Sequence, residues 1–178
     1  LDCGVPGTAA ALNAGIRAAA GEIIVRIDGH SQPKPDYVRR CVDALGGGDR
    51  TGLVGGVWEI APGGAGIFAR ATAQAVSHRL GTGGAAYREP HARCVPEDVD
   101  TVPFGCFRKS LWAELGGYDD SLLVVEDCDL NYRIRAAGYR VVLDPAIRCT
   151  YFARPTLRSL AWQYFRYGWW KRQMLKKH

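Results

Sequence analysis

The feature that most constrains the fold of this chain is a regular alternation of helix-like and strand-like segments. Residues 8–20 are rich in Ala, with Leu12 and Ile16 at helical spacing, and Gly21 stands where a helix ends in a left-handed cap. The β-branched run 23–27 follows at once and predicts a buried strand of a parallel sheet. Repetition of this order predicts an α/β fold with a mostly parallel sheet flanked by helices.

The alternation continues along the rest of the chain. Asp36, after two prolines, is in position to cap a helix over 37–45. The remaining predicted elements are a strand over 53–58, a helix over 66–80, a long loop over 81–100, a strand over 101–107, a short helix over 110–115, a helix opened by Glu126 and Asp127, and a strand over 140–143. Long loops in compact domains are often functional, so the 81–100 segment is a candidate contributor to a site.

Length and charge indicate one domain with a basic tail. The 178 residues suffice for one well-formed core and not for two ordinary domains. Eight of the 23 basic residues and none of the 18 acidic ones lie from Arg148 onward, which leaves 15 basic and 18 acidic residues in 1–147. Such a tail points to a membrane surface or a phosphate-bearing partner. We therefore divide the chain into a domain over 1–155 and a basic, aromatic, amphipathic helix at the membrane interface over 156–178.

Several classes of protein are not expected. The six cysteines are far apart and form no C-x-x-C pair, so neither a zinc site nor a disulfide framework is predicted, and a reducing cytosol suits them. The start of the chain lacks the charged and apolar regions of a signal peptide. No apolar run reaches the roughly 18 residues of a membrane-spanning helix, although a span beyond His178 stays open.

A carboxylate and an imidazole follow the first predicted strand, in Asp28-Gly29-His30. Ligands of open α/β sheets bind at the carboxyl ends of strands, and Asp28 lies at such an end. The glycine lets the backbone approach a ligand, and the two side chains are able to share Mn²⁺ or Mg²⁺, which would neutralise a diphosphate. Asp-Gly is also a common turn sequence, so the spacing alone leaves a simple turn open.

A second group of acids lies in Glu126-Asp127-Cys128-Asp129, at the start of a predicted helix. Acids at a helix N-terminus interact favourably with the helix dipole, by roughly 0.3–1 kcal/mol, and this alone would explain them. A carboxylate that faces a cleft is also able to deprotonate a hydroxyl nucleophile as a general base. The sequence pattern by itself leaves both interpretations open.

Aromatic and basic side chains alternate in the tail, in Gln163-Tyr164-Phe165-Arg166-Tyr167-Gly168-Trp169-Trp170-Lys171, on a predicted helix over 156–177. This pattern suits a bilayer interface or stacking against a base or sugar. A helix that packs its rings on the domain and exposes its cations is the alternative. Nucleic-acid binding is not expected, because the rest of the chain is acidic and the aromatic residues recur within one helix.

Together these residues resemble family 2 glycosyltransferases with the GT-A fold, and within them the exopolysaccharide glucosyltransferases of the succinoglycan type. The resemblance extends along nearly the whole chain. It rests on six motifs: Ala11-Leu12-Asn13-Ala14-Gly15, Ile24-Val25-Arg26-Ile27-Asp28-Gly29-His30, Asp100-Thr101-Val102-Pro103-Phe104-Gly105, Gly116-Gly117-Tyr118-Asp119, Glu126-Asp127-Cys128-Asp129-Leu130-Asn131-Tyr132-Arg133 and Gln163-Tyr164-Phe165-Arg166-Tyr167-Gly168.

The resemblance implies roles for residues of these motifs. Asp28 corresponds to the first acid of the family's Asp-x-Asp motif, which holds the sugar nucleotide, and His30 replaces the last acid, which binds the metal. Imidazole is a competent Mn²⁺ ligand, so the predicted metal ligands are Asp28 and His30. Asp127 matches the catalytic base, and Glu126 would orient it or the acceptor. Asp28 is also expected to contact the donor, together with Asn13, Arg26 and Gly105.

The tail motif implies contacts with the acceptor and the diphosphate. Gln163 and Arg166 stand where related enzymes have a Gln-x-x-Arg-Trp motif, and Tyr167 replaces the Trp. The implied partners are a UDP-sugar, a lipid-linked saccharide acceptor and a membrane surface, and the implied cofactor is Mn²⁺ or Mg²⁺.

The function implied by the resemblance is inverting transfer of a sugar, expected to be glucose, to the lipid-linked acceptor in exopolysaccharide synthesis, on the cytoplasmic face of the plasma membrane. The family's first strand and uracil-binding turn are expected before Leu1, so the chain is expected to be an N-terminally truncated fragment. A nucleotidyltransferase and a non-catalytic module that binds sugar nucleotides or membranes are the alternatives.

Overall fold

The architecture is that of a computed structural model, which describes residues 7–48, 50–78, 81, 83–89 and 94–178. The helices are α1 (Thr8–Ala18), α2 (Tyr37–Gly46), α3 (Ile67–Ser77), α4 (Lys109–Glu114), α5 (Glu126–Ala136) and α6 (Leu157–Leu175), with a 3₁₀ turn at Ala86–Arg88. The strands are β1 (Ile23–Val25), β2 (Ser31–Pro33), β3 (Thr51–Pro62), β4 (Glu97–Asp98), β5 (Cys106–Arg108) and β6 (Arg140–Ala153). The predicted alternation of helices and strands is confirmed.

The sheet is mixed, where a mostly parallel sheet was predicted. Its order is β1-β5-β3-β6-β2, and β4 also pairs with β6. The strands β1, β3 and β6 run in one direction, but β5 lies antiparallel between β1 and β3, and β2 and β4 are antiparallel to β6. The chain enters β5 from the carboxyl ends of β1 and β3, so β5 pairs antiparallel with both strands.

Two glycines of β3 allow neighbouring backbone to approach the sheet closely. A Cβ atom on Gly55 would lie 2.4 Å from the Cβ of Val102, and one on Gly56 would lie 2.2 Å from the carbonyl oxygen of Ile147. The segment before β5 therefore crosses directly over β3. Asn131 of α5 holds it there, because its Oδ1 accepts a hydrogen bond of 3.0 Å from the backbone N–H of Val102.

The core has two main parts, which lie on the two faces of the sheet. Leu53 and Val57 of β3 point to one face and Val54 and Trp58 to the other, as the period of a strand requires. The first face is covered by α1, α4 and α5, and the second by α2 and α3; the buried contributors include Ile16, Leu111, Leu130 and Ile134 on the first and Tyr37, Cys41, Leu45 and Ala73 on the second. Because β3 is buried on both faces, its sequence is a near-continuous apolar run.

Some predicted boundaries differ from the observed ones. β6 does not end at residue 143 but continues to Ala153, because pairing with β3 resumes after an irregularity at Asp144, whose Oδ1 accepts from the N–H of Ala146 at 2.8 Å. β5 is only three residues long, since Val102 is bonded to α5 and not to a strand. Asp36 does not cap α2; its carboxylate instead pairs with Arg40.

The last helix, α6, packs on the domain near its end and has a capped N-terminus. Thr156 and Ser159 form a capping box at the N-terminus of α6. Near its end, Met174 packs with the buried side chains of Leu122 and Val125. The loop that precedes α5 is therefore covered by α6.

Within the ranges described above, no helix combines the length and the hydropathy needed to cross a bilayer.

Candidate active site

The carboxyl end of β1 and the first turn of α5 meet through one arginine. Arg26 Nε lies 2.9 Å from Asp28 Oδ1, and Arg26 Nη2 lies 3.3 Å from Asp28 Oδ2. The same Nη2 lies 2.9 Å from Glu126 Oε1. The side chains of Arg26 and Glu126 are only 8% and 7% exposed, whereas that of Asp28 is 27% exposed. Arg26 and Asp28 of the strand end thus form one largely buried ion network with Glu126, which is about a hundred residues away in the sequence.

The electrostatics of this network keep Arg26 charged. Burial opposes the charged form, but the carboxylates of Asp127 and Asp28 raise the pKa of Arg26 above its ordinary value. Burial and the charge of Asp127 raise the pKa of Glu126, while Arg26 opposes that rise. Nη1 of Arg26 is buried and has no hydrogen-bond partner among the described residues. A buried cationic N–H without a partner is a place for an anion such as a phosphate oxygen.

Asp127 is half-buried beside Glu126 and lies between two groups of side chains. Burial raises the pKa of Tyr118, Tyr87 and Tyr167, and the negative charge of Asp127 adds to each rise. The same charge raises the pKa of Arg26 against the effect of burial. One oxygen of Asp127 accepts from the N–H of Cys128 at 2.8 Å. The carboxylate is therefore fixed at the first turn of α5 and retains acceptor capacity for a substrate hydroxyl.

Backbone strain marks the position just before these acids. Val125 has a φ of 65° although it is β-branched, and it immediately precedes Glu126. Such a conformation is costly for valine and persists only where the surroundings enforce it. Contact with Leu122 and Met174 supplies that enforcement. No sequence pattern indicated this turn, because the strain arises from tertiary packing.

The donor atoms at Asp28 and His30 suit a divalent cation. A carboxylate has four lone-pair positions, so the hydrogen bonds from Arg26 leave acceptor capacity on Asp28. Removal of water from around its ring lowers the pKa of His30, which favours the neutral imidazole that ligates metals. The described residues form no cluster of three or more metal-binding side chains. Two protein ligands match the way Mg²⁺ is usually held, with phosphates and waters completing its shell.

A stack of aromatic rings extends from His30. His30 meets Tyr151 edge-on at 5.0 Å between ring centroids, and Tyr151 stacks on Trp58 at 4.0 Å with an angle of 2° between the planes. Tyr87 approaches Trp58 edge-on at 4.7 Å. None of these three aromatic residues was predicted as a site residue, because each belongs to a different element and no local motif joins them.

The predicted acceptor residues Gln163 and Tyr167 border this aromatic group. Gln163 Nε2 lies 2.9 Å from the hydroxyl of Tyr167 and 3.3 Å from the hydroxyl of Tyr151. Burial raises the pKa of Tyr167 to about 12, so its hydroxyl stays protonated at neutral pH. Arg166, the third predicted member, is exposed on the outer side of α6. The structure therefore brings two of the three tail residues to the site.

Two predicted donor-binding residues, Asn13 and Gly105, are engaged in contacts within the domain. The amide nitrogen of Asn13 donates to the carbonyl of Tyr118 at 2.8 Å and to Asp120 at 2.7 Å, and its oxygen accepts from the N–H of Tyr118 at 2.9 Å. Gly105 is buried, and a Cβ atom there would lie 2.5 Å from Leu53. The geometry favours positioning and close packing over the predicted contacts with the donor. Asn13 holds Tyr118, whose ring centroid lies 5.9 Å from Arg26 Cζ.

Residues 2–108 match the family model described as glycosyl transferase family 2, which is more than half of the chain. The chain belongs to this family. The family resemblance is thereby confirmed, together with the α/β fold of the GT-A type and the prediction that this is a glycosyltransferase domain.

One curated relative in this family has a related sequence. The chain is 34% identical over 161 residues to the succinoglycan biosynthesis protein ExoA of Rhizobium meliloti (strain 1021). The match covers 90% of this chain and 47% of that protein, so the chain spans about half of the relative's length.

Solved structures share the fold. A mannosyltransferase from Pyrobaculum calidifontis, PcManGT, in complex with GDP-Man and Mn²⁺ has a TM-score of 0.65 and 24% identity, over 97% of this chain and 44% of that one. GalNAc-T7, solved with UDP, GalNAc and Mn²⁺, has a TM-score of 0.58 and 17% identity, over 85% of this chain and 33% of that one. The fold of a glycosyl transferase family 2 domain is thus common to proteins of low sequence identity.

Proposed function

We propose that the full protein is an inverting glycosyltransferase that moves a sugar from a UDP-sugar to a lipid-linked saccharide in exopolysaccharide synthesis. Membership of glycosyl transferase family 2 and the relative named as a succinoglycan biosynthesis protein support the transferase and its pathway. UDP-glucose is the donor to test first, because it is the donor implied by the resemblance to succinoglycan-type glucosyltransferases.

The observation that carries this proposal is the buried network of Arg26, Asp28 and Glu126 with Asp127 beside it. It joins a strand-end carboxylate, suited to a donor diphosphate, to a helix-start carboxylate, suited to a general base. The partnerless Nη1 of Arg26 offers a hydrogen bond to a phosphate oxygen at the same place. One connected set of side chains thus contains contacts for the leaving diphosphate and a carboxylate that can act as the base.

The chemistry follows from these positions. Asp127 accepts the proton of an acceptor hydroxyl, whose oxygen forms a bond to the anomeric carbon of the donor sugar. The bond from that carbon to the diphosphate oxygen breaks, and its electron pair leaves with UDP. Because attack and departure take place on opposite faces of the sugar, the configuration inverts. Arg26 stabilises the developing charge, since its guanidinium is already oriented by Asp28 and Glu126.

Asp28 and His30 would hold Mn²⁺ or Mg²⁺, which supplies positive charge to the departing diphosphate when bound. Both of these solved structures contain Mn²⁺, which supports a divalent metal.

We further propose that α6 lies on the cytoplasmic face of the plasma membrane. Its outer face exposes Trp162 (61%), Phe165 (61%) and Trp169 (51%), and the rings of the first two stack at 5.5 Å. Arg158 and Arg166 are exposed four residues before and four residues after Trp162, so they lie on the same face of α6. The sequence from residue 148 onward contains no acid. Exposed rings with only basic neighbours suit the surface of an anionic leaflet.

The membrane proposal is tested by sedimentation with vesicles that contain phosphatidylglycerol. We expect Trp162→Ser with Phe165→Ser to lose at least about tenfold in vesicle affinity, because burying a large apolar side chain contributes roughly 1.5–3 kcal/mol. The matched control replaces Val38 and Val42, which are also exposed, with serine on α2. Equal vesicle binding by both double variants would contradict a membrane role for α6.

The transferase proposal is tested by UDP release from UDP-sugars with membranes that contain the full-length protein, with and without Mn²⁺. Asp127→Asn removes the proposed base, so we expect the turnover number to fall about a hundredfold or more. Asp43→Asn is the control, since Asp43 is exposed on α2.

Two outcomes would contradict this proposal. Unchanged turnover in Asp127→Asn would exclude Asp127 as the base. Donor binding without UDP release from any UDP-sugar, with acceptor lipids supplied, would favour a non-catalytic module that binds sugar nucleotides.

A further inference from the structure

A second buried arginine lies in this domain, outside the network of Arg26. Arg88, in the 3₁₀ turn Ala86–Arg88, is 7% exposed. No carboxylate in the described part of the chain forms an ion pair with it, and its Nε is buried without a hydrogen-bond partner. Burying a guanidinium without an anion is costly. A ligand that supplies an anion would offset this cost.

The surroundings of Arg88 orient it without neutralising it. Its Cζ lies 5.6 Å from the ring centroids of both Trp58 and Tyr87. Its Nη1 donates to the hydroxyl of Tyr164 at 3.2 Å. Rings hold a guanidinium through cation–π attraction and leave its net charge in place. The result is a positively charged position with an aromatic wall.

The partners of Arg88 place this position on the acceptor side. Arg26 contacts Asp28, Glu126 and Tyr118, and none of these is among the recorded contacts of Arg88. The aromatic group around Arg88 includes Tyr87, on which the charge of Asp127 acts. Two buried guanidinium groups with no shared partner point to two separate anions. The donor diphosphate belongs with Arg26, which leaves an anionic group of the acceptor for Arg88.

Tyr164 occupies the position that such an anion would take. Its hydroxyl accepts from Arg88 and donates to the carbonyl of Gly81 at 2.6 Å. The Tyr164 residue is 39% exposed on α6, so a small displacement would open Arg88 to solvent. A phosphate oxygen would then replace a neutral phenol by a charged acceptor, which forms a stronger hydrogen bond with a guanidinium.

We propose that Arg88 binds a phosphate group of a lipid-linked acceptor, with Trp58 and Tyr87 orienting the guanidinium and Tyr164 acting as a displaceable cap. This inference rests on the proposed transferase function, since it names the chemistry by which the acceptor is held. The arginine proposed here is buried and differs from the exposed Arg166, which was predicted to lie near the acceptor and the diphosphate.

The test is equilibrium binding to the full-length protein with UDP present to fill the donor site. The probes are farnesyl diphosphate, a short isoprenyl diphosphate, and farnesol, which lacks the phosphates. We expect the wild type to bind the diphosphate at least about tenfold more tightly, or ~1.4 kcal/mol. Arg88→Gln should abolish this preference. Arg39→Gln, which changes an exposed arginine of α2, should retain it.

The same preference in Arg88→Gln as in the wild type would overturn the proposal. Competition by inorganic diphosphate as strong as that by farnesyl diphosphate would overturn the assignment to a lipid. If thermal unfolding shows that Arg88→Gln does not fold, Tyr164→Phe is decisive. This substitution at a partly exposed position removes the cap, so binding of the diphosphate should be at least as tight as in the wild type. Loss of the preference in folded Tyr164→Phe would overturn the role of Arg88.

Binding and turnover separate this inference from the transferase proposal. UDP release that requires Asp127, combined with unaltered probe binding in Arg88→Gln, would overturn the phosphate subsite alone. Absence of UDP release, combined with a preference for the diphosphate that requires Arg88, would overturn the transferase proposal and leave the subsite supported.

Discussion

The proposed donor and acceptor sides of this site each contain a buried arginine, but the two arginines have different neighbours. Arg26 and Arg88 are 9% and 7% exposed. Arg26 is paired with Asp28 and Glu126, whereas Arg88 is surrounded by rings and a phenol. Carboxylates neutralise a cation and fix the backbone segments that carry them. Rings orient a cation but leave its net charge in place, so Arg88 lacks the neutralising carboxylates that Arg26 has, although each arginine keeps one buried N–H without a partner among the described residues.

The largest effect expected from this comparison concerns Arg26. Arg26→Met leaves the buried carboxylate of Glu126 and the partly buried one of Asp28 without their cation, so we expect the free energy of unfolding to fall by about 3–5 kcal/mol. Urea unfolding measures this change. Arg40→Met breaks an exposed ion pair with Asp36 and should change stability little. An equal fall in the free energy of unfolding in both variants would contradict a stabilising role for the network of Arg26, Asp28 and Glu126.

An intermediate effect is expected from Trp58 on the acceptor side. Trp58→Leu removes the ring that stacks on Tyr151 and contacts the guanidinium of Arg88. We therefore expect the free energy of unfolding to fall by about 2–3 kcal/mol, which is less than truncation to alanine would cost. Trp162→Leu changes an exposed ring and is the matched control, with a loss within about 0.5 kcal/mol. In Trp58→Leu, the KM for the acceptor should rise while the KM for the donor stays constant. A rise in both KM values would weaken the division into two sides.

The smallest effect is expected at Asp119, where the end of α6 is attached to the domain. Burial opposes ionisation, but hydrogen bonds from Lys177 and Ser121 lower the pKa of Asp119 from 3.8 to about 2. The folded state therefore binds fewer protons than the unfolded state as the pH falls below about 4, and the contribution of this carboxylate, below about 1 kcal/mol, is lost toward pH 2.

Thermal unfolding from about pH 5 to about pH 3 measures this contribution. The stability difference between the wild type and Asp119→Asn should shrink as the pH falls. Asp43→Asn should show no such trend, because Asp43 is exposed on α2. A difference that is constant with pH would mean that the ion pair with Lys177 does not attach α6.

The sequence allowed the donor side to be predicted better than the acceptor side. Asp28 and His30 follow a strand and Glu126 and Asp127 open a helix, so local patterns and the family resemblance located them. Their roles stay predictions until the variants above are measured. Val125, which immediately precedes the helix acids, escaped prediction because its strain comes from packing against α6.

On the acceptor side, local patterns failed for a physical reason. Trp58, Tyr87 and Tyr151 lie on β3, in a 3₁₀ turn and on β6, and they meet only because the sheet and its crossing segment fold together. Each is an ordinary apolar residue of its own element, so nothing in the sequence around it indicates a ring stack. Asn13 was predicted to contact the donor, but its amide is bonded to the turn that carries Tyr118.

The sequence alone determined the main alternation of helices and strands, though not the short strands β2 and β4, together with the positions of the carboxylates and the basic character of the tail. Periodicity, capping and charge are local properties. Tertiary structure decided the antiparallel insertion of β5, the joining of Asp28 to Glu126 through Arg26, and the isolation of Arg88 among rings. These features depend on contacts between residues distant in the chain. Burial sets the cost of an unpaired charge, and burial exists only once the chain has folded.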